Sequence, residues 1–157
     1  AIAQTQNPQL QHIGLAQLHQ ACLANHPNEQ PPQANLLLVE GAGGFYSPLA
    51  PDGLNADLAQ KLGFPIVLVV ANRLGCLNHA LLSLSAIAER KLPMQAIVLN
   101  DITPDADINN LRDLAALVSQ YSPFPNTPIY HQAWQADAQA IKPLMISYSL
   151  IPRNENN

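Results

Sequence analysis

Three short stretches gather the side chains that can do chemistry. The first is Glu40-Gly41-Ala42-Gly43-Gly44, a carboxylate followed by four residues with almost no side chain. Glycines let the backbone approach a ligand closely, whereas a lone carboxylate ahead of a glycine turn is more simply read as solvated. The second is Gly75-Cys76-Leu77-Asn78-His79, which opens an apolar stripe of helical spacing. Free amides at such a helix start accept an anion. Asn78 there either caps the helix or holds a carboxylate, and the residues alone favour capping. Cys76 stands where a thiol can serve as a nucleophile, but the sequence fixes no base beside it. The third stretch is Asn100-Asp101-Ile102-Thr103-Pro104. An Asn amide both donates and accepts, as reading a purine edge requires; an Asx turn fits the same residues equally well.

These stretches need elements to position them. Leu36-Leu37-Leu38-Val39 is a short apolar run that reads as a strand buried on both faces, delivering Glu40 to a sheet's carboxyl edge. Pro65–Val70 reads as a second buried strand and Gln95–Leu99 as a third, with Ile129-Tyr130 a short fourth. Helical spacing appears over Leu10–Leu23, over Leu77, Leu81, Leu84, Ile87 and Ala88, and over Asp107–Tyr121. A short helix carries Leu58 and Leu62, with Asn55 as its expected N-cap and Gly63 as its C-cap. Segments 25–32, with His26, and 45–53 read as loops. Trp134 is the only tryptophan and is expected to anchor the core, a weak helix follows from Ala136, and the apolar tail Met145–Ile151 is expected to dock ahead of a frayed end. Alternating strands and helices make an α/β fold with a parallel sheet and flanking helices, in a single domain over 1–157.

Composition narrows the function. The chain has 157 residues, 48% of them hydrophobic and 11% charged, with a net charge of -4. That balance argues against a nucleic-acid or anionic-membrane partner. No apolar run approaches the ~18 residues of a membrane span, and the start lacks the features of a secretory signal. Cys22 and Cys76 are far apart and His26 has no partner at metal-site spacing, so reduced thiols and a cytoplasmic location are expected.

Taken together, Val39–Gly44, the run Leu74-Gly75-Cys76-Leu77-Asn78-His79-Ala80-Leu81-Leu82, and Asn100–Pro104 resemble dethiobiotin synthetase, a P-loop family of biotin biosynthesis, in order and separation. The resemblance covers about Leu36 to Thr103 and implies a P-loop NTPase-like three-layer architecture. It implies Mg-ATP-dependent phosphorylation of a carbamate, made from carbon dioxide and 7,8-diaminopelargonate, followed by ring closure to the cyclic urea. On that basis Glu40 corresponds to a Mg²⁺-binding acid. Gly41, Ala42 and Gly43 correspond to backbone along the nucleotide phosphates, with Gly43 and Gly44 also lying against the diamine. Gly75, Cys76 and Asn78 correspond to a helix start that holds the substrate carboxylate from a partner subunit, which implies a homodimer. Asn100 and Asp101 correspond to adenine contacts.

The chain departs from the family in two places. Tyr130–Trp134 does not match the Gly-Glu-Ile-Pro of the family's adenine loop. No G-x-x-x-x-G-K-[ST] occurs in the 157 residues, and Lys61, Lys91 and Lys142 stand in no glycine loop. A fragment of a synthetase is the favoured explanation. The alternative is a non-catalytic homologue or partner subunit that binds nucleotide weakly or scaffolds an intact synthetase.

Overall fold

The computed structural model describes residues 13–24 and 37–134. Leu10, Leu36, the 25–32 loop with His26, the helix from Ala136 and the Met145–Ile151 tail lie outside them. Within the described residues the chain runs through helix α1 (Leu15–Ala24), strands β1 (Pro48–Ala50) and β2 (Gly53–Leu54), and helix α2 (Asn55–Leu62). Strand β3 (Ile66–Asn72), helix α3 (Cys76–Glu89), strand β4 (Met94–Asp101), helix α4 (Asn109–Tyr121) and strand β5 (Ile129–Gln132) follow.

The order β3-β4-β5, parallel throughout, forms the sheet. Its register places Val69 beside Val98 and Val98 beside Tyr130, with Asn72 beside Asp101 at the carboxyl edge. Both crossover helices pack on one face. Leu84 of α3, Ile97 and Leu99 of β4, and Leu114 and Val118 of α4 lose essentially all solvent contact in one cluster. Each such side chain contributes about 1.5–3 kcal/mol of transfer free energy. The sheet and its helices match the α/β fold expected from the sequence.

Two strand expectations are corrected. No strand forms over Leu37–Glu40, which has irregular backbone, with Leu38 74% exposed. An apolar run becomes a strand only when a neighbour completes its ladder, and this one has no such neighbour among the described residues. Among the described residues strand β3 is covered on one face rather than two, since its burial alternates and Val69 is 62% exposed. An unbroken apolar run cannot reveal which of its faces finds a partner.

A second cluster joins Leu15 of α1, Ala50 of β1 and Leu58 of α2. Sequence reading placed a loop at 45–53, and a small antiparallel hairpin forms there around Pro51-Asp52. Asp52 Oδ1 accepts from the Leu15 amide at 2.9 Å, tying α1 to the hairpin turn. Gly53 is required because a Cβ there would collide with the Leu15 side chain.

Helix α2 is capped differently from expectation. Leu54 is the N-cap, and Asp57 in the first turn accepts from the Leu54 amide at 2.8 Å. Gly63 does close the helix, in the left-handed conformation at φ 65°. The Leu54 amide and then the Arg90 guanidinium, 2.6 Å away, hold the Asp57 carboxyl below the ordinary Asp value of about 3.9. A depressed carboxyl stabilises the fold above its unfolded pKa, and this contribution is lost as pH falls through the folded value. Asp57→Asn is therefore expected to cost stability at pH 7 and to cost progressively less below about pH 4. Urea midpoints of the two proteins that stay equally far apart from pH 7 to pH 2.5 would contradict this.

Candidate functional site at the carboxyl edge

The chain leaves β3 through Arg73 and Leu74 into Gly75, the N-cap of α3 at φ 87°. That left-handed conformation suits only glycine without strain. Cys76 is buried as a free thiol and its amide donates to the Arg73 carbonyl at 3.0 Å. Asn78 is exposed on the first turn and does not cap the helix. The side chain makes no hydrogen bond among the described residues, and the expectation of capping is corrected. A side chain already inside the first turn cannot reach the donors that an N-cap residue reaches.

Asn100 and Asp101 end β4, and strand alternation sends them to opposite faces. Asp101 lies on the face of α3 and α4, where both carboxylate oxygens are occupied. Oδ1 accepts from Asn72 Nδ2 at 2.7 Å, and His131 Nε2 lies 2.9 Å from Oδ2. Asn72 also donates to the Asp107 carbonyl at 3.1 Å and accepts from Asn110 at 2.8 Å. This network locks the ends of β3, β4 and β5 to the start of α4. Asn100, half-buried in the row Ala71–Asn100–Gln132, faces away from it.

Sequence reading missed Asn72, Asn110 and His131. A polar residue ending an apolar strand was the available signal at Asn72; nothing local marked the other two. Asn72 is only 2% exposed, so Asn72→Ala strands the Asp101 oxygen and the Asn110 amide. The expected loss is about 1–3 kcal/mol of unfolding free energy in urea. A loss below about 0.5 kcal/mol, the range of ordinary surface substitutions, would show that water replaces the network without cost.

The Glu40–Gly44 loop does not join this edge. Its continuation docks at the other end of α3, where the Tyr46 hydroxyl donates to Glu89 Oε2 at 3.3 Å and Arg90 lies over the Tyr46 ring. At ~1.5 Å per residue, α3 separates that end from Cys76 by about 20 Å. Glu40 is exposed, and no hydrogen bond engages its carboxylate among the described residues. Asn55 Nδ2 donates to the carbonyls of Ala42 at 2.8 Å and Gly44 at 2.9 Å, while Gly44 donates to Ser47 Oγ at 2.8 Å. Glycine is needed at Gly41 because a Cβ would sit 2.7 Å from Asn55 Oδ1. It is needed at Gly43 because of a φ of 82° and the nearby Ser47 hydroxyl. Trp134, expected in the core, is 49% exposed just beyond the last residue of β5 and belongs to neither core cluster.

Among the described residues no three His, Cys, Asp or Glu side chains converge as a metal-binding group, and no helix is long and apolar enough to cross a membrane.

Three named relatives align with this chain. The ATP-dependent dethiobiotin synthetase BioD of Cellvibrio japonicus is 44% identical over 108 residues, 69% of this chain and 46% of that protein. The enzyme of the same name from Aromatoleum aromaticum is 50% identical over 72 residues, 46% of this chain and 32% of that protein. That of Yersinia pestis is 44% identical over 73 residues, 46% of this chain and 30% of that protein. The alignments thus span less than half the length of these relatives. A family model described as an AAA domain matches residues 3–126, which include β3, β4 and both crossover helices and stop short of β5. By that match and by its parallel α/β sheet, the chain belongs to the AAA domain family.

Proposed function

We propose that these residues are the carboxyl-terminal portion of an ATP-dependent dethiobiotin synthetase acting in biotin synthesis. One observation carries the reading: the similarity to enzymes of that name extends over 69% of the chain. Asn100 carries the purine-reading amide, on the face of β4 away from the strand-end network and without a side-chain hydrogen bond among the described residues. The start of α3 offers its amides, with the exposed Asn78, to the carboxylate of 7,8-diaminopelargonate. In a homodimer that helix serves the neighbouring subunit's substrate. Leu74, fully exposed beside it, suits a surface that a second subunit covers.

The residues present fit Mg²⁺ held jointly with nucleotide. Glu40 is an unengaged carboxylate, and Mg²⁺ is commonly held by one or two carboxylates plus substrate phosphates. When bound, the ion would neutralise charge on the transferring phosphoryl group. The chain's own share is to hold Glu40, to orient the base through Asn100 and to place the diamine at α3. The glycine loop and the α3 start must then come together around one ligand long enough to reach both.

The test is formation of dethiobiotin from 7,8-diaminopelargonate, bicarbonate and Mg-ATP. The 157 residues alone are expected to give none, since phosphoryl transfer depends on the positioning a P-loop supplies. Supplied with a P-loop ahead of Ala1, the chain is expected to turn over, and Asn78→Ala is expected to weaken the diamine by less than tenfold with ATP affinity kept. No dethiobiotin from the P-loop-bearing chain would defeat the reading.

A further inference from the structure

The start of α2 grips the glycine loop through four carbonyls. Asn55 Nδ2 takes Ala42 and Gly44, the Asn55 amide donates to Ser47 at 3.0 Å, and the Ala56 amide donates to Phe45 at 2.9 Å. In a trans peptide the carbonyl and the next amide point in opposite directions. Fixing the Ala42 carbonyl on Asn55 therefore turns the Gly43 amide away from α2. The amides of Gly41, Ala42 and Gly43 make no hydrogen bond among the described residues, and all three residues are exposed. Successive unpaired amides of this kind form an anion-binding concavity.

Asn55 achieves this at a cost. Its Oδ1 is the one buried side-chain polar atom without a partner among the described residues. Reversing the amide would set that oxygen against two carbonyls, so the donor assignment stands. An unpartnered buried acceptor is destabilising, which makes Asn a poor choice here if stability alone were at stake. It is a good choice if two carbonyls must be held by one side chain.

We propose that Asn55 is a positioning residue that shapes the Glu40–Gly44 loop into an amide cradle for the triphosphate of a Mg-nucleotide. The inference rests on the nucleotide-binding reading above and adds a residue to it. The test uses the chain supplied with a P-loop ahead of Ala1, as above, with Mg-ATP and with adenosine as separate probes, and the variants Asn55→Asp and Asn55→Leu. Both variants remove the donor; the leucine also removes the unpartnered oxygen.

Expected is at least a tenfold weaker dissociation constant for Mg-ATP in both variants, with adenosine binding unchanged within twofold and the leucine variant melting no lower than wild type. Mg-ATP affinity retained by the leucine variant would overturn the inference and leave the nucleotide reading standing. Parallel loss of Mg-ATP, adenosine and folded signal in both variants would also overturn it, since Asn55 would then be structural only. A wild-type chain that binds neither probe would overturn the nucleotide reading, and this inference with it.

Discussion

Glu40→Gln, made in a chain that also carries a P-loop, is expected to lower turnover by about 10²–10³-fold while leaving the melting temperature unchanged. A carboxylate that holds Mg²⁺ supplies several kcal/mol of charge stabilisation, and each 1.36 kcal/mol is tenfold in rate. Glutamine keeps the shape and removes the charge. The structural side of the expectation follows from exposure: Glu40 has no partner among the described residues, and exposed substitutions stay within about 0.5 kcal/mol. Loss of rate without loss of stability is therefore the diagnostic pair. Steady-state rates across a Mg²⁺ titration, read beside a melting curve, check it. Wild-type turnover in the variant would remove Glu40 from the metal site.

Leu99→Ala is expected to cost about 2–5 kcal/mol of unfolding free energy, the range for emptying a leucine site in a packed core. Leu99 has no exposed surface and shares one cluster with Leu84 of α3 and Leu114 of α4. Domains of this kind hold only about 5–15 kcal/mol in total, so the variant approaches unfolding at ordinary temperature. Val69→Ala, on the uncovered face of β3, serves as the contrast and is expected to cost no more than about 0.5 kcal/mol. Urea denaturation of both proteins decides the matter. Comparable losses in the two variants would show that the second face of the sheet is covered in solution.

Much of the fold was legible in the residues. Unbroken apolar runs located β3 and β4, and helical spacing located α3 and α4, because burial of a stripe is written locally in side-chain period. Gly63 closed its helix as expected, since only a residue without a Cβ enters the left-handed cap freely. The order of the three chemistry-bearing stretches carried the family resemblance that the comparisons support.

What the residues left open depends on neighbours distant in sequence. Leu37–Val39 has the composition of a strand, but a strand is a property of two segments, and no ladder partner meets it among the described residues. Asn55 was readable as a cap, yet its amide turns to carbonyls at positions 42 and 44 that come near only when the loop folds back. Asp101 looked available to a ligand until the β3–β4 register placed Asn72 beside it and β5 brought His131 to its other oxygen. Side-chain period records which way a residue faces; which group waits there is decided by register and packing, and for this chain that difference separates Asn100, turned away from the strand-end network, from Asp101, held within it.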